Sequence, residues 1–298
     1  MSMLQQSKLI TELTPWQESW QKFRANRSAM IALFILILFT GCAIFAPLLA
    51  AHEPHEQYTD ALLVPPFWAD GSQPAFLLGT DDLGRDILSR LLYGARYSMF
   101  LGFVIVFISL SCGIVIGAVA AMKGGAIESV ILRLMDIMLA VPAILLAIVI
   151  VAILGASLLN AGIAVSVVLL PHFVRITRAS LLTEMNRDYV LASRLDGTRG
   201  WRLLWRTLLP NITAPLIVQA TLSFSNAILD IAALGFLGLG AQPPLPEWGT
   251  LLSTSREFIE VAPWTVTLPG LAILITVLAS NLLGDGLRDA LDPRLNRL

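Results

Sequence analysis

The sequence has 298 residues, of which 56% are hydrophobic and 14% are charged, and its formal net charge is −1. Soluble domains carry about a quarter charged residues, so this composition predicts an all-α protein that crosses a membrane several times. The near-neutral charge gives no field that would attract nucleic acid. Cys42 and Cys112 stand far apart inside apolar runs, which excludes a disulfide framework.

The first 28 residues predict a tail with one helix lying in the membrane interface. Thr14 followed by Pro15 has the pattern of a helix N-cap with proline at the first helical position. Trp16, Trp20 and Phe23 recur at helical spacing opposite a basic side, which is typical of an interfacial helix.

Six apolar stretches are long enough to cross a bilayer, which takes about 20 residues. They are residues 29–50, 98–122, 131–154, 158–174, 212–238 and 266–283. The first starts too late and is too long for a cleaved signal, so we expect it to remain as an anchor. Residues 51–97 predict an outer proline-rich loop followed by an interfacial helix. Residues 98–285 predict a five-helix core containing a loop at 175–211, and residues 286–298 a second tail.

Basic residues indicate the orientation. With the N-terminus inside the cell, sixteen of the twenty Lys and Arg residues fall in cytoplasmic segments. Seven of them are arginines between Arg175 and Arg206. An even number of spans returns the C-terminus to the cytoplasm.

Motifs for catalysis are missing from the sequence. No G-x-x-x-x-G-K-[ST] occurs, so any use of ATP must come from a partner, and no H-E-x-x-H or convincing nucleophile and base set is present. His52 and His55 are too few to make a structural or catalytic metal site. We therefore expect a chain that is not an enzyme and binds no metal or cofactor.

The fifth span carries a polar stripe. Gln219, Ser223, Asn226 and Asp230 fall at i, i+4, i+7 and i+11, along one side of a helix. A carboxylate at mid-membrane costs about 2.5–3.5 kcal/mol on insertion scales, so Asp230 should face protein or water. The stripe is a candidate lining for a translocation path; alternatively, its members only hydrogen-bond neighbouring helices.

The loop before that span predicts two short helices. Asp188 can cap the first, which would contain Tyr189, Ala192, Ser193 and Arg194, and we expect Gly197 to end it in a left-handed conformation. In the second, Trp201, Leu204, Trp205 and Leu208 share one side and arginines the other, with Pro210 before the next span. An apolar side and a glycine stop favour a docking surface over a loop that merely satisfies topology.

Several motifs resemble bacterial ABC importer permeases. The run YVLASRLDG at 189–197, closed by LPN at 209–211, resembles their coupling motif E-A-A-x3-G-x9-I-x-L-P, although Leu191, Ser193 and Thr207 depart from it. The run LGTDDLGRDILSR at 78–90 is similar to the C-type permeases of the peptide and nickel subfamily. AALGFLG at 232–238, PEWG at 246–249 and GDGLRD at 284–289 match as well, and the dipeptide permeases are the most similar group.

The resemblance implies a type I importer fold and a set of partners. These are a B-type permease forming a heterodimer, two ATPase subunits that use ATP and Mg²⁺, and a periplasmic peptide-binding protein, all at the bacterial inner membrane. It assigns coupling to Asp188, Tyr189, Ala192, Ser193, Arg194, Gly197 and Pro210. Antimicrobial peptides, polyamines or nickel remain alternative cargoes, and a proton-driven secondary transporter using Asp230 is an alternative of another class.

Overall fold

The computed structural model describes residues 15–291, which form helices joined by loops. The first six helices are α1 Pro15–Ala25, α2 Arg27–Ile44, α3 Ala46–Leu49, α4 Ile87–Lys123, α5 Gly125–Ala140 and α6 Ala143–Leu154. The others are α7 Leu158–Glu184, α8 Asp188–Leu195, α9 Gly200–Leu203, α10 Thr213–Phe236, α11 Trp248–Ser255 and α12 Trp264–Leu291. A π turn at Leu204–Leu208 and 3-10 turns at Leu209–Asn211 and Arg256–Phe258 complete the described helical segments.

Five of these helices, α2, α4, α7, α10 and α12, are long and apolar enough to cross a membrane. The predicted all-α membrane fold is confirmed. The third predicted span differs from the prediction, because α5 and α6, which are apolar enough to cross together as one broken span, are bent by 96° relative to each other. The bend falls at Val141 and Pro142, where Val141 is extended. Proline disfavours helical backbone in the residue before it, so the single helix predicted over 131–154 is wrong.

Helix α4 runs unbroken for 37 residues. The prediction of a separate interfacial helix before residue 98 is therefore wrong, because α4 already begins at Ile87. At its start the Asp86 carboxylate accepts a hydrogen bond from Ser89 N at 3.1 Å. At the other end of the chain α12 continues to Leu291, so residues 286–291 belong to a helix and not to a tail. Likewise α7 extends to Glu184, beyond the predicted loop start at 175.

The bundle is built on a close crossing of α4 and α7. A Cβ added to Gly113 would lie 2.3 Å from Phe173 Cβ, and one added to Gly117 would lie 2.7 Å from Val174 O. Only glycine lets the two backbones approach this closely. These glycines therefore serve helix packing, and Phe173 and Val174 are fully buried there.

Helix α1 packs on the bundle through Phe23, which is buried beside Ala29 and Ala290. Trp20 stacks on Phe23, with ring centroids 5.7 Å apart, and stays half exposed. The predicted cap at Thr14 and the side chain of Trp16 lie outside the described residues. The apolar side of α1 thus meets α2 and α12 as well as any membrane surface.

The outer segment before α4 is a loop with its own small core of Ala61, Val64 and Phe76. Thr80 fastens it, since its hydroxyl accepts from Val64 N at 2.8 Å and donates to Ala61 O. Trp264 Nε1 donates to Thr80 O at 3.3 Å, which ties the loop to α12.

Candidate functional site

Helix α8 stands clear of the bundle between α7 and the π turn. Arg187, and not Asp188, occupies its N-cap position, without a side-chain hydrogen bond, so the predicted capping by Asp188 is wrong. Asp188 is instead the first helical residue, where its negative charge interacts favourably with the positive end of the helix dipole.

Gly197 ends this helix as predicted. Its φ is +83°, in the left-handed region, and an added Cβ would meet nothing within 4 Å. The closing turn is held by Gly197 N donating to Arg194 O and Thr198 N donating to Ser193 O, at 3.0 and 3.1 Å. Glycine is favoured here by backbone conformation alone, because no neighbour crowds it.

Most of α8 is exposed. Val190 is its one buried residue and enters an apolar cluster with Leu181, Leu204 and Leu208. Leu195 is 89% exposed, and Tyr189, Ala192 and Arg194 are exposed as well. Ser193 Oγ and Thr207 Oγ1 share a hydrogen bond at 3.2 Å, which joins α8 to the π turn. One buried anchor and a largely exposed remainder leave a surface that residues 15–291 do not cover.

The second helix of the loop differs from the prediction. The segment is short α9 followed by a π turn and then a 3-10 turn containing Pro210. Leu204 and Leu208 are fully buried, whereas Trp201 and Trp205 are half exposed. The four therefore do not share one buried side, because the wider π turn rotates the tryptophans away from the leucines.

Two of the seven arginines serve the bundle and not the loop surface. Arg175 and Arg178, both on α7, pair with Asp136 and Glu128 on α5. The sequence analysis missed these pairs, since acid and base lie 39 and 50 residues apart. The exposed arginines of the loop are Arg187, Arg194, Arg199, Arg202 and Arg206.

The polar stripe on α10 divides into two pairs. Gln219 Nε2 donates to Ser223 Oγ at 3.2 Å, and Ser223 is fully buried, so it offers no surface to a path. Asn226 is exposed and Asp230 half-buried on the outer side of the helix. Neither has a hydrogen bond or ion pair with any residue in 15–291. An unpaired carboxylate on a spanning helix needs water or a partner from outside this subunit.

Below Gln219, at the end of the bundle that carries α8, is a cavity of about 550 Å³ lined by both polar and apolar side chains. Its walls come from the end of α7, the start of α10 and the end of α12, and include Glu184, Gln219 and Arg288. Glu184 accepts a hydrogen bond from the Tyr189 hydroxyl of α8. Burial, and then the Glu184 acceptor, raise the pKa of Tyr189 to about 12. The sequence analysis did not find this link or Arg288 as part of a site.

Residues 113–297 match the family model "Binding-protein-dependent transport system inner membrane component", and residues 14–66 match "N-terminal TM domain of oligopeptide transport permease C". The chain belongs to this family of transport permeases. Its membrane-spanning fold is that of a transport subunit that works with ATPase and binding-protein partners.

Curated relatives cover nearly the whole chain. The di/tripeptide transport system permease protein DppC of Pseudomonas aeruginosa (strain UCBPP-PA14) is 58% identical over 282 residues, which are 95% of this chain and 93% of the relative. The dipeptide transport system permease protein DppC of Escherichia coli (strain K12) is 54% identical over 300 residues, covering 100% of both chains.

A solved structure of the MetNI methionine ABC transporter in an inward-facing conformation shares the fold. It has a TM-score of 0.56 at 19% identity and covers 69% of this chain and 98% of that chain. At this identity the likeness shows the architecture alone, which is that of a type I ABC importer permease.

Proposed function

We propose that this chain is the C-type permease subunit of an ATP-driven importer for dipeptides or short peptides in the bacterial inner membrane. The observation that carries this proposal is the identity of 54% to a dipeptide permease along the full length of both chains. In the proposal the chain pairs with a B-type permease, two ATPase subunits and a periplasmic peptide-binding protein. It binds no cofactor and catalyses no reaction itself, while its ATPase partners use ATP and Mg²⁺.

In this proposal α8 transmits movement between the ATPases and the spans. Its exposed side, with Tyr189, Ala192 and Arg194, would dock in a groove of one ATPase, and Asp188, Ser193, Gly197 and Pro210 would set the geometry of the segment. Val190 and the Ser193–Thr207 hydrogen bond connect that surface to the start of α10. A displacement of α8 would therefore reach α10, which carries Asn226 and Asp230.

Replacing Gly197 tests the coupling role. A Cβ in the left-handed region costs about 1–2 kcal/mol, so Gly197→Val should shift the turn and weaken ATPase docking by a factor of about 5 to 30. Co-purification of the ATPase through a tag on this subunit, together with dipeptide uptake by whole cells, measures the effect.

Gly155 provides the matched control for this substitution. It also has a left-handed backbone, with φ +93° and open space around an added Cβ, but it lies between α6 and α7 at the other end of the bundle. Gly155→Val should leave ATPase recovery and uptake intact. Equal effects of the two variants, or no effect of Gly197→Val, would move the coupling role to residues 201–208.

We also propose that Asn226 and Asp230 line the translocation path at the boundary with the B-type permease. Asp230→Asn keeps the shape and most hydrogen bonding but removes the charge, so assembly should persist while dipeptide uptake falls about tenfold, the value of one charge-assisted contact. Asp70→Asn, the same change at an exposed outer position, is the control. If Asp230→Asn took up dipeptide as well as wild type does, the charge of Asp230 would have no role in the path.

The orientation follows from the basic residues and has its own test. In a background without Cys42 and Cys112, cysteines at Ser72 and Glu257 should react with an impermeant thiol reagent added to intact cells, and one at Thr198 should not. Labelling of the Thr198 position from outside would reverse the proposed topology.

A further inference from the structure

The cavity between α7, α10 and α12 carries two opposite charges that do not pair with each other. Glu184 contributes a carboxylate from α7 and Arg288 a guanidinium from α12. Among residues 15–291 no ion pair joins them, and Arg288 has no acidic partner there. One open concavity of the bundle therefore holds the half-buried anion and the exposed cation, which do not neutralise each other.

The Glu184 carboxylate has capacity to bind a further donor. One oxygen accepts from the Tyr189 hydroxyl, whereas the other lies 3.9 Å from Arg187 Nε, too far for a hydrogen bond. The side chain is 17% exposed, so most of its surroundings are protein. A cation in the cavity would find a carboxylate that is largely shielded from water.

The cavity also carries neutral hydrogen-bonding groups. Thr183, Asn211 and Gln219 line the same cavity, whose volume of about 550 Å³ falls in the usual range for small-molecule sites. The second cavity among the described residues, of about 750 Å³ between α2, α4 and α10, is lined almost entirely by apolar side chains. Only the first combines two opposite charges with amide-binding groups.

We propose that this cavity binds a free short peptide by its two ends, with the α-ammonium on Glu184 and the α-carboxylate on Arg288. This inference rests on the proposed function for its ligand class. A zwitterion carries an ammonium that can bind the carboxylate and a carboxylate that can bind the guanidinium, and an arginine can hold a carboxylate with two parallel hydrogen bonds. The neutral side chains of the cavity supply donors and acceptors for the peptide bond.

The site is joined to α8 through one carboxylate. The Tyr189 hydroxyl and the ligand's ammonium would both use Glu184, so occupancy of the cavity bears directly on the position of the coupling helix. Gln219, which lines the cavity, lies on the same helix as Asn226 and Asp230. The arrangement gives a peptide a binding place at the α8 end of the bundle.

Capped peptides test each contact separately. The complete transporter, reconstituted in lipid nanodiscs without its binding protein, would be titrated with radiolabelled glycyl-leucine, its N-acetyl form and its C-terminal amide. Wild type should prefer the free peptide over either capped form by about tenfold or more, because each cap removes one charge-assisted contact.

The variants should lose one preference each. Glu184→Gln should no longer discriminate against the N-acetyl peptide while still rejecting the amide, and Arg288→Gln should show the reverse. Tyr189→Phe keeps the Glu184 carboxylate and removes the hydroxyl that competes with the ligand for it. This variant should therefore bind the free peptide at least as well as wild type. Arg133→Gln and Asp289→Asn alter exposed charges outside the cavity and should behave as wild type.

Two results would overturn the site: the absence of saturable glycyl-leucine binding by wild type, or unchanged preferences in Glu184→Gln and Arg288→Gln. Dipeptide uptake by whole cells with the binding protein present separates this failure from that of the proposed function. Uptake without selective binding in the nanodisc assay rejects the cavity site alone. If wild-type cells take up no dipeptide, the proposed cargo is wrong, whatever the cavity binds.

Discussion

Helices α8 and α11 are each eight residues long and lie at opposite ends of the bundle, where they are held in opposite ways. Helix α8 buries only Val190 and ends at a glycine with open space around it. Helix α11 buries five of its eight residues, including Trp248, and its Gly249 touches the backbone of Ala232. Two helices of equal length thus give one surface left open for a partner and one fixed part of the fold.

The N-terminal end of α11 is held by a buried carboxylate that forms no ion pair with any residue in 15–291. Glu247 is 1% exposed; it accepts from Ser98 Oγ of α4 at 3.0 Å and from Thr250 N at 2.9 Å. Trp248 Nε1 donates to Leu91 O of the same helix α4 at 3.1 Å. These bonds clamp α11 to α4 through buried groups, whereas α8 is held through partly exposed ones, by the hydrogen bond that Ser193 and Thr207 share and by the one that the Tyr189 hydroxyl donates to Glu184.

The largest expected effect is that of adding a side chain at Gly249. An added Cβ would lie 2.3 Å from Ala232 O and 2.5 Å from Ala232 Cα, and a backbone cannot move aside as a side chain can. Gly249→Val should cost at least about 3 kcal/mol, the upper end of overpacking penalties. The yield of monodisperse protein after detergent extraction and its unfolding temperature would measure this loss.

Two other glycines control for that experiment. Gly197→Val meets no neighbour within 4 Å and adds only the strain of a side chain at positive φ, so it should lower the unfolding temperature less than Gly249→Val does. Gly41→Ala should be tolerated, since nothing lies within 4 Å of its added Cβ. Normal folding of Gly249→Val would show that α11 is as loosely held as α8, and the contrast between the two helices would fail.

A smaller effect is expected at Glu247, and it depends on pH. Burial raises the pKa of Glu247, outweighing the hydrogen bonds that lower it. A carboxyl whose pKa is higher in the folded state contributes stability below its unfolded pKa of about 4.3 and loses it as pH rises through the folded value. The unfolding temperature of wild type should therefore fall with increasing pH across that interval.

Glu247→Gln removes this titration, so its unfolding temperature should vary less with pH. It also replaces one carboxylate oxygen by an amide NH2, so one of the two donors, Ser98 Oγ or Thr250 N, loses its acceptor, which should cost about 1 kcal/mol at every pH. Glu257→Gln, an exposed carboxylate shortly after α11, should retain the wild-type pH profile. A steeper profile in Glu247→Gln than in wild type would contradict the assigned direction of the shift.

Patterns that act within a few residues were predictable. The left-handed Gly197 was predicted from its place after α8, and the positions of five spanning helices from continuous apolar length, because both depend on local backbone preference and on the thickness of a bilayer. The break at Pro142 was also present in the sequence and was overlooked, since apolar length was weighed above the effect of proline on the preceding residue.

The sequence by itself therefore determined that the chain is an all-α membrane protein, where most of its spans lie, and that α8 ends at Gly197. Only the tertiary structure decided that Ser223 is buried while Asp230 lacks a partner, that α11 is clamped through Glu247, and that Glu184 and Arg288 line one cavity. The last two residues are separated by about a hundred positions, and neither stands in a pattern of its own. Helical period fixes which residues share a side of one helix, whereas the crossing of separate helices fixes which of those sides meet.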